Sequence, residues 1–350
     1  MKRKASLTKI KIGVVGCGYW GPNLIRNFVQ VPNVELKAVC DIDKLRVARM
    51  KTLYPFLETT ADYSLLLAKN IDAVVIATPT KTHYDMAKKA LLKGKHVLVE
   101  KPFVLNSAQA KELVSLAHKR KLTLMVDHTF VYSATLKKIR QLIKKGQLGE
   151  IYTVDMQRVG LGIVQDDHNV IWDLLPHDLS ILLYTLDVMP KSVIAVGEAH
   201  IHNNIEDTAH VLLKFPKRTL ASVHLSWLSP LKIRRATFVG SKKMLFFDDL
   251  EATDKIKIFD KGITVRSVRA PQMKFYESFA EFTYLYRSGD THIPYLDQTE
   301  PLKMVAEEFV TCLKEGRKPL SAGEEGLKIT KIIEAAQESL RKGGKEVQIK

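Results

Sequence analysis

From residue 10 to about residue 127, short and nearly continuous runs of Val, Ile and Leu alternate with amphipathic stretches. The apolar runs are IKIGVVG from Ile10, VELKAVCD from Val34, DAVVIATP from Asp72, HVLVEKP from His96 and LTLMVDH from Leu122. Between them, helical patterns begin near Gly21, Lys44, His83 and Ser107. Strands that are apolar along their whole length offer neither face to water, so they belong in a parallel sheet covered by helices on both sides. The pattern predicts a doubly wound α/β Rossmann domain over residues 1–127.

After residue 127 the rhythm changes. A helix over about 134–145 leads to the strand EIYTVDMQRVG from Glu150, and a helical stretch follows over about 171–186. Strands then come in succession near 192–200, 208–215, 219–228, 234–239 and 243–248, joined by turns such as FPKR and GSKK. Consecutive strands with short turns make an antiparallel sheet. Helices near 298–315 and 324–342 close the chain, so residues 128–350 read as an α+β domain, with the last helix free to pack back on the first domain.

A length of 350 residues fits two domains, and 46% hydrophobic with 26% charged residues is ordinary globular composition. Apolar runs such as 73–77 and 97–99 fall far short of the ~20 residues of a membrane span, so no membrane association is expected. The basic start, 1–9, leads into a short strand and shows no secretion signal. Cys17, Cys40 and Cys312 lack paired spacing, which suggests neither disulfides nor zinc and fits a cytoplasmic location. A net charge of +16 raises nucleic acid as a partner, but the basic residues are scattered over helix faces (Lys88, Lys89 and Lys93; Lys137, Lys138, Lys144 and Lys145), with no accompanying motif. A small anionic substrate remains compatible with that charge.

The segment Gly16-Cys17-Gly18-Tyr19-Trp20-Gly21 matches G-x-G-x-x-G and sits between the first strand and the first helix. Glycines there permit a tight turn and close approach of a pyrophosphate to a helix N-terminus. Twenty residues after Gly21, Asp41 ends the second strand, placed to accept hydrogen bonds from ribose hydroxyls. The carboxylate favours NAD, because it repels a 2′-phosphate; Lys44 or Arg46 would compensate, which leaves NADP open.

Two further clusters carry possible chemistry. Lys101, in Glu100-Lys101-Pro102, ends a parallel strand at the sheet's carboxyl edge, where it is either a donor to a substrate oxygen or a solvated loop lysine. Asp173 and His177 are four apart, so on a helix a carboxylate would orient an imidazole able to take a proton. Pro176 suggests instead that the helix begins near there, leaving a capping Asp and a hydrogen-bonded His as the other reading. His200 and His202 face one side of a strand without a third ligand nearby, so no metal site is expected.

Taken in order, Gly16-x-Gly18-x-x-Gly21, Ala77-Thr78-Pro79-Thr80 with His83, Glu100-Lys101-Pro102 and Asp173-x-x-x-His177 resemble the glucose-fructose oxidoreductase, inositol dehydrogenase and rhizopine-catabolism (Gfo/Idh/MocA) family over nearly the whole chain. The resemblance implies an N-terminal nucleotide-binding domain and an open-faced C-terminal sheet used for homodimer or homotetramer assembly. It makes Lys101 a contact to substrate and nicotinamide ribose, His177 the acid/base residue and Asp173 its support. Thr78, Pro79, Thr80 and His83 would line the nicotinamide half of the cofactor with Glu100 beside it, and Tyr19 and Trp20 would belong to the glycine loop. It also points to a cis Lys101–Pro102 bond. Many relatives carry a glycine between the Asp and the His, where this chain has Leu174-Leu175-Pro176.

The Gly18–Asn23 run and the stretch 172–178 are similar to nucleotide-sugar dehydrogenases that oxidise the 3-hydroxyl of UDP-N-acetylglucosamine or its uronate. His128, Tyr132 and Arg158 are candidates for reaching the substrate, because their segments follow the last Rossmann strand or form the first strand of the second domain; each has a structural reading too. Oxidation of myo-inositol or another polyol is the alternative, and a non-catalytic dinucleotide- or sugar-sensing regulator is the competing class. Retention of Lys101, Asp173 and His177 argues against a sensor, which needs no proton acceptor.

Overall fold

A computed structural model describes residues 9–265 and 284–350, so the basic start at 1–8 lies outside the described residues. The described residues fall into two units. One runs up to Ser133 and includes Gln298–Glu334; the other comprises Ala134–Asp297 and Ala335–Lys350.

The first unit is built on a parallel sheet of β1 (Ile10–Val15), β2 (Val34–Cys40), β3 (Glu58–Thr60), β4 (Ala73–Ile76), β5 (His96–Val99) and β6 (Leu124–Val126), in the order β3-β2-β1-β4-β5-β6. The reversal of strand order beside β1 opens the crevice in which such sheets bind ligands. Connecting helices are α1 (Gly21–Gln30), α2 (Lys44–Leu53), α3 (Tyr63–Ala68), α4 (His83–Leu92) and α5 (Ser107–Arg120). Every residue of β4 is buried, as the apolar pattern requires. Neither β3 nor α3 shows in that pattern, since β3 is three polar residues at the sheet edge.

This unit differs from the expected 1–127. Besides running on to Ser133, it takes back α8 (Pro301–Glu315) and the start of α9 (Gly323–Arg341). Phe28 of α1 meets Phe309 of α8 edge-on at 6.2 Å, and Arg26 pairs with Glu300 through two hydrogen bonds of 2.6 and 3.0 Å. At the end of β6 the Ser321 hydroxyl donates to the Val126 carbonyl at 2.6 Å, and the Val126 N–H donates to the Ser321 carbonyl at 2.8 Å. Gly326 lets α9 lie close, for a Cβ there would stand 2.8 Å from the side chains of Phe103 and Val126.

The second unit holds α6 (Ala134–Lys144), α7 (Val170–Leu186) and a nine-stranded sheet. Its strands are β7 (Ile151–Leu161), β8 (Ser192–Glu198), β9 (Thr208–Lys214), β10 (Leu220–Ser226), β11 (Leu228–Gly240), β12 (Met244–Asp248), β13 (Ile256–Val265), β14 (Tyr284–His292) and β15 (Val347–Gln348). The order is β14-β13-β12-β11-β7-β10-β9-β8-β15. The sheet is mixed rather than purely antiparallel, because β10 lies parallel to β7, with Val223 opposite Met156. Alternate residues point inward and are buried, such as Val211, Val223, Met156 and Phe238, and so are Leu175, Leu179 and Leu182 of α7, which packs on β7, β9 and β10. The opposite face stays open: Val196, Leu212 and Leu220 are exposed, and the rings of His210 and His224 stack at 4.3 Å.

Candidate functional site

The glycine loop has the backbone its residues predict. Gly16 has φ +93, and a Cβ there would lie 2.3 Å from the Ala77 carbonyl oxygen. At Gly21 a Cβ would lie 1.9 Å from the Gly16 carbonyl oxygen. Helix α1 opens there with Pro22 in its first turn, no side-chain cap and no acidic residue, so its positive end is available to an anion. Gly18 faces Arg46, whose Nη1 stands 3.3 Å from where a Cβ would be, while Tyr19 and Trp20 project outward edge-to-face at 5.6 Å.

Asp41 fixes this loop. Its buried carboxylate accepts the Cys17 N–H at 2.6 Å through Oδ2 and the Asp43 N–H at 2.8 Å through Oδ1. Each oxygen keeps a lone pair for a ribose hydroxyl. Burial, and then the Asp41 charge, push the Cys17 thiol up to about 12, so it stays a neutral thiol in the loop. A crowded glycine turn, an open helix end and a carboxylate at the end of β2 together fit a dinucleotide such as NAD.

At the end of β4 the Thr82 hydroxyl donates to the Pro79 carbonyl at 2.8 Å and stands 2.7 Å from the Thr78 hydroxyl. This folds Thr78, Pro79 and Thr80 into a tight turn ahead of α4. His83, expected to line the cofactor, is buried between two backbone carbonyls, Nδ1 2.9 Å from that of Pro102 and Nε2 2.8 Å from that of Thr78, and a neutral ring donates to one of them. Burial lowers its pKa while those carbonyls raise it. His83 thus sits between the loop after β4 and the turn at Pro102. The Lys101–Pro102 bond it reaches is cis.

Glu100 and Asp127 follow the paired residues Val99 and Val126 of adjacent strands, and both side chains are buried. Burial, then the Asp127 charge and their mutual hydrogen bond, push the Glu100 carboxyl well above the usual carboxylate range, with Lys101 acting the other way. Asp127 is raised by burial but drawn down by the Thr129 hydroxyl, by Glu100 and by Lys101. Lys101 itself is half-buried, and its N–H donates to Glu100 Oε2 at 3.1 Å.

Two residues expected to reach the substrate are built into this unit's interior. Tyr132 is buried, its hydroxyl 2.9 Å from the Ser321 hydroxyl and accepting the Ser321 N–H at 3.1 Å, so it braces the returning segment. His128 is buried too, and neither ring nitrogen has a hydrogen-bond partner among the described residues. Burial and the Lys101 charge drop its pKa to about 3, so the ring is neutral.

In the second unit, α7 starts at Val170 rather than near Pro176. Asn169 caps it by accepting the Trp172 N–H at 3.3 Å, and the Asn169 amide is anchored by Glu206 at 2.6 Å and Gln337 at 2.9 Å. Pro176 costs the helix one hydrogen bond, the one to the Trp172 carbonyl, without ending it. Asp173 and His177 thus sit one turn apart on one helix, both half-buried. The Trp227 indole N–H donates to Asp173 Oδ2 at 3.1 Å.

Arg158, expected at the substrate, is instead a buried structural cation. Its Nε and Nη2 donate to the two carboxylate oxygens of Asp178 at 2.8 and 3.0 Å, locking β7 to α7. His200 and His202 turn to different carboxylates, Asp207 at 2.7 Å and Asp166 at 3.4 Å. Among the described residues no cluster of three or more His, Cys, Asp or Glu is placed to hold a metal, and no helix is long and apolar enough to cross a membrane.

Comparison with known proteins agrees with this geometry. Residues 10–128 match the model of the oxidoreductase family with an NAD-binding Rossmann fold, GFO_IDH_MocA, and residues 136–246 match the Gfo/Idh/MocA C-terminal domain. The chain belongs to this family; it is a dehydrogenase and its cofactor is NAD. It is 24% identical over 347 residues to an uncharacterized oxidoreductase, YrbE, of Bacillus subtilis, covering 96% of this chain and 95% of that one. Against myo-inositol 2-dehydrogenase of Thermotoga maritima it is 24% identical over 343 residues, 95% of this chain and 96% of that one. UDP-N-acetylglucosamine 3-dehydrogenase of Acidithiobacillus ferrooxidans is 27% identical over 262 residues, 72% of this chain and 78% of that one. The solved structure of the latter, GnnA, superposes with a TM-score of 0.78 over 96% of this chain and 99% of that one, at 23% identity.

Proposed function

We propose that the protein oxidises a secondary hydroxyl of a sugar with NAD as acceptor, and that this is the 3-hydroxyl of a UDP-N-acetylhexosamine. The observation that carries the reading is Lys101 at the carboxyl edge of the sheet that also holds the glycine cradle, on a turn fixed by His83 through Pro102. The nucleotide-sugar assignment is supported by the 27% identical relative named for that reaction. NAD, when bound, supplies the hydride acceptor.

Lys101 takes the role of donor to the substrate oxygen, steadying the charge that builds there as the hydroxyl loses its proton. His177 takes the proton, a task suited to an imidazole near neutral pH. Asp173, held by Trp227, backs that imidazole. The open sheet face, with Val196, Leu212 and Leu220 exposed, supports assembly as a homodimer or homotetramer, to be checked by sedimentation. Three free, buried cysteines support a reducing, cytoplasmic setting.

NADH formation with UDP-N-acetylglucosamine, its uronate, myo-inositol and glucose tests the proposal. Turnover confined to the UDP-sugars supports it, and turnover confined to myo-inositol replaces it with polyol oxidation, the reading favoured by the relative that matches 95% of this chain. Silence across the panel, despite measurable NAD binding, overturns sugar oxidation.

A further inference from the structure

Beyond the cofactor loop, the first unit contains a buried carboxyl pair at the ends of β5 and β6. Strand register places it: Val99 of β5 stands opposite Val126 of β6, so the residues that follow, Glu100 and Asp127, leave the sheet side by side. The backbone holds both, the Glu100 N–H donating to the Ile76 carbonyl at 2.9 Å and the Asp127 N–H to the Val99 carbonyl at 2.8 Å. Two buried carboxylates this close cannot both ionise cheaply, and one proton between them relieves the repulsion.

Their surroundings decide which one carries it. Thr129 donates to Asp127 Oδ1 at 2.8 Å, a bond that stabilises the carboxylate form there. Glu100 has one such bond, from the Lys101 N–H, at the longer distance of 3.1 Å. Of the other groups facing the pair, His128 is neutral and Tyr132 is an un-ionised phenol whose hydroxyl is spent on Ser321. Lys101 is the cation felt by Glu100, Asp127 and His128 alike.

We infer that Glu100 and Asp127 act as one acid–carboxylate unit, Glu100 holding the proton and Asp127 the charge, and that Asp127 is thereby a positioning residue that draws the Lys101 ammonium into place. The inference rests on the proposed role of Lys101, but its test need not. A glutamine at position 100 reproduces a neutral hydrogen-bond donor, whereas an asparagine at position 127 removes the only charge of the pair. A purely structural role predicts that the two substitutions behave alike; the charge role predicts that they differ.

The experiment compares wild type, Glu100→Gln and Asp127→Asn in the full chain by two readouts. The first is the acylation rate of Lys101 by an amine reagent, followed by mass spectrometry, with the exposed Lys81 and Lys93 as internal references. Asp127→Asn is expected to speed labelling of Lys101 about tenfold, because an ammonium no longer drawn to a carboxylate is freer to meet the reagent, and Glu100→Gln to leave it within about twofold of wild type. The second is denaturation against pH. The folded protein keeps the Glu100 proton above pH 4.5, where the unfolded chain releases it, so this group makes stability fall as pH rises; Glu100→Gln abolishes that component. Equal labelling in the two variants, or a Glu100→Gln profile parallel to wild type, overturns the inference. Expected labelling in a wild-type protein that turns over none of the sugars would sink the proposed function and leave the carboxyl pair standing.

Discussion

Arg158 and Asp178 meet through two hydrogen bonds, with side chains 6% and 2% exposed, and Asp178 directly follows His177 on α7. This ion pair therefore sets the rotation and depth of the helix that carries the proposed proton acceptor. Arg158→Met strands the Asp178 carboxylate in the interior and is expected to cost about 3–5 kcal/mol in urea denaturation. The double variant Arg158→Met/Asp178→Leu should recover most of that loss. If the single variant is as stable as wild type, the pair does not hold the helix.

Gly21→Ala brings a methyl group onto the Gly16 carbonyl, which cannot move without moving the turn. NADH titration by fluorescence should show affinity weakened about tenfold or more, ~1.4 kcal/mol, with the second unit's fold unaffected. Unchanged affinity would remove the glycine loop from the cofactor site.

Asp41→Ala leaves two backbone N–H groups of the loop without their acceptor, at ~1–3 kcal/mol for each that stays buried. Affinity for NADH should fall while that for NADPH falls less or rises, because Arg46 remains beside Gly18 and the repelling carboxylate is gone. Paired dissociation constants for the two cofactors measure this directly.

Trp227→Phe keeps the buried ring and removes the donor to Asp173. About 1 kcal/mol of stability is expected to go with that hydrogen bond. With a turned-over substrate, kcat should drop while NADH affinity holds; a change in cofactor affinity alone would contradict the assignment.

His128 makes stability fall in acid. Its pKa is about 3 in the folded protein against 6.5 for an ordinary histidine, so below pH 6.5 the unfolded chain gains a proton that the folded chain refuses. Stability should drop by ~1.4 kcal/mol per pH unit from this group, opposite in sign to the Glu100 component. His128→Asn should flatten that slope in pH-dependent denaturation; an unchanged slope would mean that the imidazole titrates normally.

The cofactor half of the fold was legible because buried parallel strands leave an uninterrupted apolar signature and because Gly16, Gly21 and Asp41 are fixed by local backbone geometry. The polar strand Glu58–Thr60 carried no such signature. Pro176 argued for a helix start, whereas the capping Asn169 carries the helix past it. Arg158 and Tyr132 looked like substrate contacts by position, but their partners Asp178 and Ser321 lie 20 and 189 residues away, and no periodicity announces such pairs. Trp227 and Asp127 were missed for the same reason: their significance lies in what they face across the fold.

The return of Gln298–Glu334 to the first unit bears on modularity. A fragment ending at Ser133 would leave the end of β6 without Ser321 and α1 without the aromatic cover of Phe309. The smallest autonomous cofactor-binding piece is thus discontinuous, made of two stretches of chain far apart in sequence. Transplanting it into another protein, or exchanging the substrate unit by recombination, requires breakpoints on both sides of the inserted sheet and a third inside α9, where one unbroken helix passes from the first unit to the second.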